Sequence, residues 1–298
     1  MITAFMCSVC IIWISACSSP KQETDEGEEF DKAVDQIQEQ IEKIVAKVPP
    51  PSEIPFIIQS TGAEFDASLV NDISNVDQYK SEDDKSALNL GVYSTDIGYL
   101  SSYDKSQDAL TYFNEMKGLA DQIGVTSSID SDIVEEFESS LGSREALGHI
   151  LDSAIADTRV HLENNNRDRT AALVVTGTFT EGLYIVSSLV EKFPKTSKGE
   201  GVSANDPSSS IGAFAIPLVN LMLEQEKPMG ELNALLKSLD SDATSDKLVV
   251  MTSDLVEEYA SLNIKETMKN NQGMTYLEEG SLTDLISKIR ALREYITE

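Results

Sequence analysis

Beyond residue 17 the chain has neither cysteine nor tryptophan: Cys7, Cys10, Trp13 and Cys17 all fall in its first seventeen residues. The long remainder therefore has no disulfide, no thiolate nucleophile and no sulfur ligand for a zinc ribbon. Losing the indole ring counts against sugar recognition by aromatic stacking. Histidine is nearly absent, with only His149 and His161 present. Their spacing puts them about 120° apart around a helix, so they do not face one ligand together. The Glu-x-x-His pairs of a di-iron bundle are missing, as are phosphate loops, nucleophile elbows, His-Glu-x-x-His and dinucleotide fingerprints. No cofactor is expected. Basic side chains are also scarce, 23 against 51 acidic ones, for a net charge of −28. Such a surface is repelled by phosphate backbones and anionic headgroups, which excludes nucleic acid as a partner.

What is present at the N-terminus is an apolar run over residues 4–14 followed by Ser15 and Ala16. It is too short for a membrane span, which needs roughly 20 apolar residues, and has the length of a signal-peptide core. Ile14-Ser15-Ala16-Cys17 resembles the bacterial lipobox. That resemblance implies removal of residues 1–16 and acylation of Cys17. The leading MITAFM lacks the usual Lys or Arg, which departs from the pattern. An ordinary secretory signal or a buried apolar N-terminus are the alternatives. One acyl chain binds a bilayer marginally, whereas two or three hold it stably, each buried methylene adding about 0.8 kcal/mol. Ser18 and Ser19, with no Asp beside the cysteine, fit an outer-membrane rather than an inner-membrane lipoprotein.

Residues 17–29 are polar and acidic, the composition of a disordered tether. Phe30, Val34, Ile37, Ile41, Ile44 and Val48 then recur at alternating steps of four and three, a helical stripe of the coiled-coil type. It suits either a groove of its own domain or self-association. Pro49-Pro50-Pro51 closes this 30–51 segment as a stiff spacer. Helical periodicity continues through a first unit, 52–193. A Ser/Gly/Lys-rich linker follows at 194–205, and then a second unit, 206–298. The expected fold is all-α, either a multi-helix bundle or a repeat-like array of helical hairpins.

Within the first unit, Ser81-Glu82-Asp83-Asp84 has the form of a capping box opening a helix to about Tyr103. Gly91, Thr95, Gly98 and Ser102 give that helix a smooth stripe suited to a close neighbour. Thr178-Phe179-Thr180-Glu181-Gly182 could form a hairpin tip, but the surrounding apolar spacing favours helix. Ala87-Leu88, Thr95-Asp96 and Tyr99 recur at one constant offset as Ala172-Leu173, Thr180-Glu181 and Tyr184. Two acids on apolar helices, each followed by a tyrosine one turn on, make Asp96, Tyr99, Glu181 and Tyr184 the candidate ligand-binding residues. Asp240 to Asp246 resembles half a calcium loop but lacks its glycine and glutamate, so a helix-capping loop is expected there.

The span from Pro51 to Phe193, notably ALNLGVYSTDIGYLSSYD and TEGLYIVSSLVEK, resembles a family of uncharacterised lipoproteins from Bacteroidota. It covers about half the chain and implies an envelope location and a helical body, without a mechanism. The expectation is a lipid-anchored, non-enzymatic binding or scaffold protein that meets envelope proteins through helix faces. The alternatives are a carboxylate-based hydrolase using Asp96 and Glu181, or a carrier of a small apolar ligand.

Overall fold

The computed structural model describes residues 48–192, 210–262, 264 and 281–298; Cys17, the stripe up to Ile44 and the 194–205 linker lie outside them. The described residues are all-α, with no strand among them. In chain order the helices are α1 (Glu53–Ser60), α2 (Asp83–Ser102), α3 (Ser106–Gln122), α4 (Ser131–Ser139), α5 (Arg144–Asn164) and α6 (Asp168–Glu191). They continue as α7 (Ser210–Glu224), α8 (Glu226–Ser238), α9 (Ala243–Ser261) and α10 (Thr283–Thr297). A polar loop with short 3-10 turns and one helical turn, Val76–Tyr79, joins α1 to α2.

Local chemistry accounts for most boundaries. Asp130 caps α4 by accepting from Asp132 and Ile133 N–H, and Ser143 caps α5 through Ala146 N–H. Asp242 caps α9 through Thr244 and Ser245, so the Asp240–Asp246 stretch is a capping loop, as its sequence suggests. Gly124 ends α3 at φ 68°, and Asn166 turns the chain after α5 at φ 56°. The capping box at Ser81 does not form. Glu82 takes the cap position without a side-chain bond, because the Ser81 hydroxyl donates instead to Gln78 O of the preceding turn. Leu282 takes the cap position of α10, also without a side-chain bond.

Two helices make the centre. From Ser86 to Ser102 on α2, and from Ala171 to Val190 on α6 except Tyr184, every residue is buried. A helix apolar all round belongs inside a large core, which explains why α6 has no polar face to read from sequence. By length and composition α6 could cross a membrane, but here it is a packed core helix. The Thr178–Gly182 stretch is helical.

Glycine sets the distance between the two. A Cβ on Gly91 would lie 2.1 Å from Val174 O, and one on Gly177 only 1.8 Å from Leu88 O. Backbone therefore meets backbone, and Thr95 Oγ1 adds a hydrogen bond to Thr178 O at 3.0 Å. The smooth stripe on α2 serves two neighbours. Gly91 and Thr95 meet α6, while a Cβ on Gly98 would be 2.8 Å from Pro51 O. Segment 51–56 is seated the same way against Gly182 and Gly148, by Ile54 and Phe56. Ser52 donates from N–H and Oγ to Asp152, at 3.1 and 2.6 Å, and fastens this segment to α5.

The remaining helices wrap that pair. α3 lies along α2, α5 contacts both central helices, and α8 and α9 form a hairpin. α10 packs on α6, α9 and α2, so one apolar core draws on both sides of the linker. Arg169 at the start of α6 bonds Asp84 of α2 bidentately and Asp242 at 2.6 Å, joining the N-termini of α2, α6 and α9.

Candidate functional site

Along α2 the residues Asn89, Tyr93, Asp96, Tyr99 and Tyr103 follow at steps of four, three, three and four, so polar tips share a side of a buried helix. Each finds a partner on another segment. Asn89 Nδ2 donates to Ile296 O at 2.9 Å, and Tyr93 OH donates to Asp72 O at 2.7 Å. Asp96 Oδ2 accepts Asn71 N–H at 3.0 Å. Tyr99 OH accepts Asp66 N–H at 3.1 Å, and Tyr103 OH donates to Ala63 O at 2.7 Å. Tyr112 from α3 adds a bond to Asn71 O at 2.9 Å. Apart from the Asn89 bond, which reaches α10, these tie the 61–75 loop to the core, and they satisfy the backbone N–H and C=O of buried Asn71.

Three of the four candidate residues converge. Asp96 and Glu181 are both 0 % exposed, and their carboxyls lie within hydrogen-bonding reach of each other. Arg293 of α10 donates to Glu181 from Nε at 3.1 Å and Nη2 at 3.4 Å, and its guanidinium lies 4.8 Å from the centre of the Tyr184 ring. Tyr99 does not join them. Its ring stacks on Phe65 with centroids 5.3 Å apart, and its hydroxyl serves the loop.

The electrostatics follow from burial. Desolvation, then the neighbouring Glu181 charge, pushes the Asp96 carboxyl well above the usual carboxylate range. Glu181 is also raised by burial, but Arg293 pulls against that shift. Burial disfavours the charge on Arg293, and the attraction of Glu181 and Asp96 outweighs it. The lowest-cost arrangement keeps Glu181 ionised against Arg293 and leaves the proton on Asp96. Asp96 Oδ1 and Thr180 Oγ1 are buried with no hydrogen-bond partner from the surrounding N–H and O–H groups. Desolvation also raises the Tyr112 hydroxyl, to about 12.

Arg293 and Asn71 are the members that periodicity alone misses. Arg293 carries a trace of its role, because it sits beside Leu292 and one turn from Ile289 and Ile296, on the edge of the buried stripe of α10. Asn71 contributes only a backbone N–H, which has no sequence signature.

Three surface recesses among the described residues are lined by no candidate residue. One of about 150 Å³ lies among Val48, the three prolines, Ile155 and Val174. A second, 480 Å³, lies beside Phe65 and Lys192. The third, 590 Å³, is a broad depression near Phe56, His149 and Asp152. His149 is exposed there, with Nδ1 3.3 Å from Ser153 Oγ. No cluster of three or more His, Cys, Asp or Glu suited to a metal occurs among the described residues. The candidate site is thus an internal acid pair with one cation, enclosed by helix and loop except where Arg293 reaches solvent. No family model, curated protein or solved structure matches this chain.

Proposed function

We propose that this chain is a lipid-anchored cell-envelope protein, tethered through Cys17, whose helical body is a non-enzymatic binding or scaffold module. The observation that carries the second half is the full burial of Asp96 and Glu181, with Asn71 and Arg293 as internal partners. Acids used for general acid–base work must come within about 3 Å of a substrate proton. These two are spent on holding α2, α6, α10 and the 61–75 loop together. The carrier alternative would need one of the two larger recesses, 480 and 590 Å³, because the one beside the prolines, at 150 Å³, is well below the ~300 Å³ of ordinary ligand pockets. Envelope proteins are the partners proposed.

The tether reading rests on the lipobox-like Ile14–Cys17 and the acidic stretch after it. Its junction with the body is well seated, with Ser52 held by Asp152 and Pro51 against Gly98. The test is cross-linking in intact cells followed by identification of captured proteins, alongside a hydrolase panel on the purified body. Reproducible capture of one envelope protein, lost when the cross-linkable positions are moved to the buried face of α2, is the expected result. Hydrolytic turnover abolished by Asp96→Asn would overturn the reading.

A further inference from the structure

The acid pair has a charge balance that its partners do not close. Against Asp96 and Glu181 stand Arg293 and Tyr184 from α10 and α6, Tyr112 from α3 and Tyr79 from the helical turn. Tyr93 lies on α2 itself, and Asp72 lies in the loop. The cation these elements bring is Arg293, which donates to Glu181 from Nε and Nη2 and to Thr297 Oγ1 from Nη1, with no bond to Asp96. Two ionised carboxylates with one guanidinium would leave a net negative charge with no access to water. Asp96 Oδ2 takes the Asn71 N–H, and Oδ1 has no donor. A proton on Asp96 neutralises the cluster and lets its carboxyl donate a hydrogen bond to Glu181.

We propose that Asp96 and Glu181 form a one-proton binding site whose occupancy holds the C-terminal helix α10 against α2 and α6. The three elements differ in how freely they can yield. α2 and α6 are locked by the backbone contacts at Gly91 and Gly177. α10 is held by Arg293, by Asn89 to Ile296 O and by Tyr79 to Thr297 O, in addition to its apolar stripe. The Arg293 side chain, 16 % exposed, is where the cluster meets solvent, so water entering to hydrate a second charge enters along α10. Opening exposes Asp96, whose ordinary carboxyl value is 3.8, and the proton leaves. Undocking is therefore coupled to release of one proton. Its equilibrium constant rises about tenfold per pH unit between that value and the higher value of the docked state.

The test uses two readouts on the full-length protein. Infrared difference spectroscopy at neutral pH should show the carbonyl band of a protonated carboxyl in the wild type, lost in Asp96→Asn. Hydrogen exchange of residues 283–297, corrected for the intrinsic pH dependence of exchange, should accelerate about tenfold per pH unit in the wild type as pH rises above 3.8, until the docked-state value is passed. In Asp96→Asn that slope should vanish. In Arg293→Met, where both acids need a proton, it should approach a hundredfold. Absence of the carbonyl band from the wild type would overturn the proposal. So would a slope shared equally by wild type and Asp96→Asn, or opening that follows sodium concentration rather than pH. The wild-type measurements stand even if a variant fails to fold.

Discussion

Single side chains in this protein fall into two electrostatic classes with opposite pH signatures. Asp96 is raised by burial, so the stability it allows is fully present below its unfolded value of 3.8 and declines as pH rises toward its folded one. Asp84 and Asp242 are lowered, chiefly by hydrogen bonds from Arg169. The stability they add is present above 3.8 and is lost as pH falls through their folded values. Arg169→Met should therefore lower the melting temperature at neutral pH and flatten the acid limb of stability against pH. On the alkaline side the loss should stay constant, leaving the slope of stability against pH unchanged there. Melting curves across the pH range check this; an unchanged acid limb would show that the Arg169 node adds nothing. The two classes also differ in how they show in sequence. Asp96 and Glu181 stand out because an acid inside an apolar helix is conspicuous. Arg169 does not, because a basic residue near a helix start has no period to betray what it reaches.

At the scale of elements, helix existence was legible where one face is apolar, as on α3, α5 and α10, whose apolar stripes are buried. Caps formed by Ser143 and Asp242 were legible too, because a short polar side chain before an apolar run has few other uses. The capping box at Ser81 misled because Gln78 O, one turn earlier, competes for the same hydroxyl. The small-residue stripe disclosed the close approach at Gly91 and Gly98, but nothing in the sequence disclosed the one at Gly177. Gly91 and Gly177 meet opposing backbone, whereas Gly230 inside α8 has nothing within 4 Å of an added Cβ. Gly91→Ala and Gly177→Ala should each cost about 3 kcal/mol or more, since neither backbone can retreat cheaply. Gly230→Ala should instead stabilise by up to about 1 kcal/mol through helix propensity. Chemical denaturation of the three variants separates these outcomes. Equal effects at all three positions would contradict the close α2–α6 contact.

For the whole molecule, the all-α class followed from periodicity, while the joining of the two predicted units through α10 did not. Nothing in the stripe Leu285, Ile289, Leu292 and Ile296 says that its partners lie on α6 and α2, a hundred residues or more away in the chain. Contacts of that separation are written in shape and charge, of which Arg293 is the one visible mark. The proposed anchor is the opposite case, its signal carried by a few adjacent residues, Ile14 to Cys17. The net charge of −28 keeps such a body off anionic headgroups, so a tether at Cys17 is what would hold it at a bilayer. The most direct test of the account is mass spectrometry of the N-terminal peptide from the membrane fraction of cells making the full chain. The account predicts a peptide that starts at Cys17 and carries fatty acid, with Cys17→Ser releasing the protein from the membrane. Recovery of an unmodified chain that retains residues 1–16 would contradict it.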